Sequence, residues 1–250
     1  MPRLEGRAYG RSYADHERIG LLVIPDEIVA TQEVRLMLPP DVVVYEHRVE
    51  FEEIDTPVNR LNAEHAIAEA TRIINRVQPR AIAFACTSGV SFAGAEWHGK
   101  LLGKMRSAAP GVPVFTAIDA VTRTLHAIGA KRIVVGSPYS DDVMEGMADI
   151  LAAEQIEVIS WEKLFRHGYP GPWAVMSTTP ARVAEFACRI DRPDAECVFV
   201  SCAGLPSASV VNDVERVIGK PFLTSNTAVA QMLRESLSPA AKTASGPTSP

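Results

Sequence analysis

The sequence predicts an α/β fold of two pseudo-symmetric lobes, each a central parallel sheet flanked by helices, with the functional cleft between them. Three observations carry this reading: short apolar runs rich in β-branched residues recur along the chain, helix-periodic segments separate them, and the second half echoes the first. The runs are IGLLVIP (19–25), VVVYEHRV (42–49), AIAFACT (81–87), VPVFT (112–116), RIVVGSPY (132–139), EVISW (157–161), CVFVSC (197–202) and PFLTS (221–225). Several are continuous rather than alternating, as parallel strands covered on both faces require. Between them Ile67, Ala70, Ile74 and Val77 share a helical face, as do Val121, Leu125 and Ile128 ahead of Gly129. Val143, Met147 and Ile150 follow an Asp141-Asp142 start, and Val210, Val214, Val217 and Ile218 precede Gly219, a natural C-cap.

The echo has three parts in the same order. RIGLLVIP is repeated as RIVVGSP, AIAFACTSG as VFVSCAGL, and VPVFTAIDAVTRTL as KPFLTSNTAVAQML, each about 110 residues later. Residues 1–17 and 239–250 read as loosely ordered tails, 18–117 with 221–238 as the first lobe, and 118–220 as the second. If corresponding strands point their carboxyl ends at each other, Cys86 and Cys202 face one another where open α/β sheets bind ligands.

Composition narrows the function. With 47% hydrophobic residues, a net charge of −5 and basic residues scattered rather than striped, the chain has no field to gather phosphates, so nucleic acid is excluded as a partner. No apolar run approaches bilayer length and no apolar signal region follows the first arginines, so no membrane partner and a cytoplasmic location are expected. Four cysteines are too few for a disulfide scaffold, and neither they nor the six histidines have metal-ligand spacing. No metal is expected.

Cys86-Thr87-Ser88, followed by Ser91-Phe92-x-Gly94, and Ser201-Cys202-x-Gly204-Leu205 are the motifs that carry chemistry. A thiol titrates near neutrality, so N–H donors or a helix N-terminus can favour the thiolate. One thiol then serves as base or nucleophile while a second, on the opposite face, returns a proton. An enolate beside a carboxylate needs donors already in place. Thr87, Ser88, and the N–H groups near Gly89, Ala203 and Gly204 are small and polar enough to supply them.

On these motifs the chain resembles the aspartate/glutamate racemase superfamily, in the branch of maleate cis-trans isomerase and arylmalonate decarboxylase, from about Arg18 to Leu237. The resemblance implies a two-lobed enzyme without metal or organic cofactor. Cys86 and Cys202 would be its catalytic pair and Tyr139 a holder of the substrate carboxylate; Thr224, Ser225 and Asn226 are further candidates for the lining. Homo-oligomerisation is left open. Two departures stand out. The turn after the first strand reads IPDEIVAT where isomerases carry an asparagine, and HGYPGPW places Pro172 where they carry another. A carboxylate from Asp26 or Glu27 would repel a substrate carboxylate or hold a proton, which argues against maleate and favours an amino, amide or hydroxyl group at the substrate's far end.

The leading expectation is a cofactor-independent isomerase or racemase of a small carboxylic acid, with Thr87, Ser88, Tyr139, Ala203, Gly204 and Glu27 binding the substrate. The alternatives are a malonate-type decarboxylase with Cys202 alone as proton donor, the relative having glycine at the position of Cys86, and a non-catalytic protein that binds small acids. Cys188 and Cys197 have no echo and read as packing, and His47, His98 and His126 read as surface or packing residues; His167 lies in the departing segment.

Overall fold

A computed structural model describes residues 12–238. Among these residues eight strands form two four-stranded, wholly parallel sheets, ordered β2-β1-β3-β4 and β6-β5-β7-β8. β1 (Arg18–Val23), β2 (Val43–Arg48), β3 (Ile82–Phe84) and β4 (Val114–Thr116) correspond by position to β5 (Arg132–Ser137), β6 (Glu157–Lys163), β7 (Cys197–Val200) and β8 (Phe222–Thr224). The three echoed pairs fall on β1 and β5, β3 and β7, and β4 and β8. In each lobe the residue after the third strand is pinned the same way: Ala85 N donates to Leu22 O at 2.8 Å, and Ser201 N to Gly136 O at 2.8 Å.

Among the described residues ten α-helices connect or follow the strands: α1 (Val29–Met37), α2 (Pro57–Asn75), α3 (Ser88–Ser91), α4 (Gly94–Ala108), α5 (Ala117–Ile128), α6 (Asp141–Ala153), α7 (Pro172–Met176), α8 (Pro180–Ile190), α9 (Val211–Ile218) and α10 (Ser225–Ser236). Their ends follow local chemistry. Thr116 and Thr224 open α5 and α10 with reciprocal capping boxes to Asp119 and Thr227, and left-handed Gly129 and Gly219 close α5 and α9. Thr56 and Thr179 cap α2 and α8, each with proline in the first turn.

One core joins the lobes, with Leu21, Phe84, Ile118, Ile133, Phe199 and Leu233 among its buried members. A second cluster, with Val134, Phe186, Val198 and Phe222, lies under α8 and α9. α3 and α4 pack on α6, and α10 packs on α1 and α5. β8 pairs with β7 in the second sheet, so the segment 221–238, grouped above with the first lobe, divides between the two. The tails expected at 1–17 and 239–250 lie outside the described residues except for 12–17, where Tyr13–Asp15 form a single 3-10 turn. Four residues depart from the expected helical faces. Val77 lies beyond α2, Ile128 ends α5 half-exposed, Val210 ends the 3-10 turn that precedes α9, and Val217 points outward, leaving Val214 to anchor α9. No described helix is long and apolar enough to cross a membrane.

Candidate active site

Cys86 and Cys202 each stand two residues past the end of their strand, at the carboxyl edges of corresponding strands β3 and β7. Both line one cleft, together with Glu27, Thr87, Ser88, Tyr139, Ala203 and Gly204. The structure therefore brings the two expected catalytic thiols and the six expected substrate-binding residues to one cleft. Tyr169, Pro172, Val175 and Met176 from the loop before α7 and from α7 itself close one side, so the departing segment is cleft wall. His167 is exposed and absent from the lining.

Cys86 is the more enclosed thiol. Gly89 N–H donates to its Sγ at 3.3 Å, Ser88 Oγ lies 3.6 Å away, and the thiol donates to Glu53 Oε1 at 3.6 Å. Gly89 is required by this crowding: a Cβ there would sit 2.6 Å from the Phe51 ring and 2.9 Å from Cys86 Sγ. Burial above all, then the Glu53 charge, pushes the Cys86 thiol well above the ordinary range, against the hydrogen bonds from Ser88 and Gly89. Cys202 has donors instead, the Tyr139 hydroxyl and Gly204 N–H. Burial still raises it to about 12, with Glu27 and Glu53 adding to the rise. Clustered N–H groups were expected to favour a thiolate; desolvation outweighs them and pushes both thiols toward the protonated form.

The other lining groups divide their tasks. Tyr139 is buried, its phenol held neutral first by burial and then by the nearby thiols. Thr87 Oγ1 bonds Ser225 Oγ at 2.9 Å, tying the Cys86 loop to the start of α10. Glu27 is buried in the wall, where Oε1 accepts from Val29 N at 2.5 Å and Ala30 N at 2.8 Å and so caps α1. Its other oxygen flanks Gly204, and burial outweighs those bonds to raise its pKa. Thr224, Ser225 and Asn226 do not line the cleft. Thr224 caps α10, while Asn226 Nδ2 donates to Ala203 O at 2.9 Å and to Glu33 Oε2 at 2.8 Å, fixing the Cys202 loop from behind.

Glu53 was missed by the sequence reading. It sits half-buried in the loop after β2, held there by Phe51 packing edge-on to Phe84 at 6.0 Å. Burial raises its pKa against hydrogen bonds from Ser88 and Cys86. Its sequence signal, the second of three acids that follow Phe51 in FEEIDT, was too common to single out. The cleft widens outward past Asp26, Glu50, Glu52, Glu53 and Tyr169, and no Lys or Arg lines either part among the described residues. Cys197 is buried in β7 and Cys188 half-buried on α8, both away from the cleft.

A family model described as arylmalonate decarboxylase matches residues 19–246. The chain belongs to the arylmalonate decarboxylase family. An arylmalonate decarboxylase of Bordetella bronchiseptica is 30% identical over 158 residues, covering 61% of this chain and 64% of that protein, so the match spans just under two thirds of the relative. A maleate isomerase of Pseudomonas putida is 24% identical over 231 residues, 88% of this chain and 91% of the relative. The solved maleate cis-trans isomerase of Nocardia farcinica, a mutant carrying a covalently bound succinylcysteine intermediate, superposes with a TM-score of 0.78 at 22% identity, over 88% of this chain and 92% of that one. The named relatives are thus enzymes of small carboxylic acids, and the two-lobed α/β architecture is theirs as well.

Proposed function

We propose that this protein is a cofactor-independent isomerase or racemase of a small carboxylic acid, with Cys86 and Cys202 as its reacting groups. The observation that carries this reading is the placement of both thiols on the wall of one cleft, at equivalent strand ends. Ser88, Tyr139 and the N–H groups of Ala203 and Gly204 would hold the carboxylate and the enolate formed from it, since neutral donors stabilise developing charge without opposing the substrate's approach. The acidic outer cleft supports a substrate with one carboxylate and a neutral or cationic far end, because a second carboxylate would meet Asp26, Glu27 and Glu53.

The test is a screen of small carboxylic acids in deuterated water, following exchange at carbon, racemisation and CO₂ release together. Deuterium incorporation with isomerised or racemised product is expected. Cys86→Ala and Cys202→Ala should each lower turnover by about 10²–10⁴-fold with the fold unchanged by circular dichroism. Near-normal rates in both variants would end the reading.

A second reading is decarboxylation with Cys202 as the lone proton donor, favoured by the matching family model and the Bordetella relative. Cys86→Gly separates the two, since it should inactivate an isomerase and be tolerated by a decarboxylase. Binding of acids without any turnover would leave the third expectation, a non-catalytic binding protein.

A further inference from the structure

The two thiols share a cleft but not an environment. Cys86 points its S–H at an acceptor, the Glu53 carboxylate 3.6 Å away, and Ser88 Oγ touches both that carboxylate and the thiol. Cys202 has the opposite surroundings, accepting from the Tyr139 hydroxyl and Gly204 N–H. A negative charge beside a thiol keeps its proton on, whereas donors stabilise the thiolate. Of the groups that face the pair, Glu53 is nearer to Cys86, Glu27 flanks Cys202 across Gly204 with one oxygen committed to α1, and Tyr139 and Tyr169 remain neutral phenols.

We propose that Glu53 sets the two cleft thiols to different tasks, keeping Cys86 as the proton donor and leaving Cys202 as the thiol that ionises and acts on the substrate. This deepens the isomerase reading and rests on it for the catalytic step. Cys202 gives its proton to solvent at the cleft mouth. The thiolate then takes the proton from the carbon beside the substrate carboxylate: an S–H bond forms, the C–H bond breaks, and its electron pair spreads into the carboxylate as an enolate. The Cys86 S–H bond breaks next, its proton forming the new C–H bond and its electron pair staying on sulfur. Solvent reprotonates Cys86 beside Glu53, Cys202 loses a proton again, and the starting state returns. Glu53 touches neither carbon nor substrate carboxylate in this scheme, so it is a positioning residue for the proton on Cys86.

The experiment compares wild type with Glu53→Gln by iodoacetamide labelling at pH 7, with the two cysteine peptides resolved by mass spectrometry. Removing the charge lowers the Cys86 pKa, so its labelling should rise about tenfold, one pKa unit, while Cys202 changes less. Glu53→Asp, which keeps the charge but withdraws it by one methylene, should fall between them and serves in place of Glu53→Gln should that variant not fold. Unchanged or slower labelling of Cys86, or an equal rise at Cys202, overturns the proposal. Once an acid is turned over, the alkaline limb of kcat/KM should move to lower pH in Glu53→Gln, because that limb reports Cys86 losing its proton. The labelling needs no substrate. A rise at Cys86 with no acid turned over would leave the role of Glu53 standing and sink the enzyme reading, while turnover with unmoved labelling would do the reverse.

Discussion

At Cys86 the thiol, the Phe51 ring and the missing Cβ of Gly89 compete for the same space. Gly89→Ala must push back either the aromatic ring that anchors the Glu53 loop or the sulfur itself. Overpacking of this kind costs about 1–3 kcal/mol, to be read as a lower urea midpoint at unchanged slope. A midpoint equal to wild type would mean the ring gives way freely. Across the cleft, the Tyr139 hydroxyl lowers a Cys202 pKa that burial has pushed up to about 12. Below that value the thiolate fraction grows with pH, so Cys202 alkylation should climb about tenfold per unit between pH 7 and 10. Tyr139→Phe removes the donor and should slow labelling of Cys202 throughout that range; equal rates would mean the phenol does not reach the sulfur.

The elements that hold the site are α1 and α10, which pack on each other and share a buried polar clamp at one carboxylate. Glu33 on α1 accepts from Ser207 N at 2.7 Å, Ala208 N at 2.9 Å and Asn226 Nδ2 at 2.8 Å, so the first lobe grips the loop that follows Cys202. Glu33→Ala strands those donors, and leaving a buried polar group unpaired costs about 1–3 kcal/mol. Asn226→Ala should cost a similar amount. Because the two share one bond, the double variant should lose less than the sum of the singles, by about 0.5–3 kcal/mol in a urea cycle; strict additivity would show that the bond contributes nothing. This clamp was invisible in the sequence, as was α1. Thr224, Ser225 and Asn226 attracted notice as a polar strand end, yet they serve the cleft from behind, a distinction that depends on which side of β8 the chain turns to. The strands were legible because burial on both faces writes a continuous apolar run. Their ends were read too long at Cys86, Tyr139 and Cys202 because the residues leaving each sheet for the cleft are also small or apolar.

At the scale of the molecule, the internal echo revealed more than any single motif. It paired β3 with β7 and thereby placed two thiols in one cleft from residues 116 apart in the chain, Cys86 and Cys202. It could not reveal Glu53, which comes from a loop with no matching acid in the other lobe and enters the site through the packing of Phe51 on Phe84. Among the carboxylates of the cleft, burial raises the pKa values of two, Glu27 and Glu53, above 4.5. In the window between 4.5 and those raised values the folded chain holds protons that the unfolded chain has released. Stability must therefore fall as pH rises through that window, and the penalty is complete once both groups ionise in the fold. Asp119 acts in the opposite sense. Its pKa is lowered because hydrogen bonds and charge from His98, with Thr116, overcome burial, so its contribution is lost only as pH falls below its unfolded value of 3.8. Urea midpoints measured from pH 5 to 8 isolate the cleft pair from Asp119. Wild type should weaken across that range. Glu53→Gln should flatten the decline and be the more stable protein at pH 8, because the amide keeps the size of the side chain and carries no charge to desolvate. Glu27→Gln should flatten it as well but start lower, since the amide is a weaker cap for α1 than the carboxylate it replaces. A wild-type midpoint that rises from pH 5 to 8, or a Glu53→Gln decline as steep as wild type, would show that Glu53 is solvated in the folded protein and exerts no hold on Cys86.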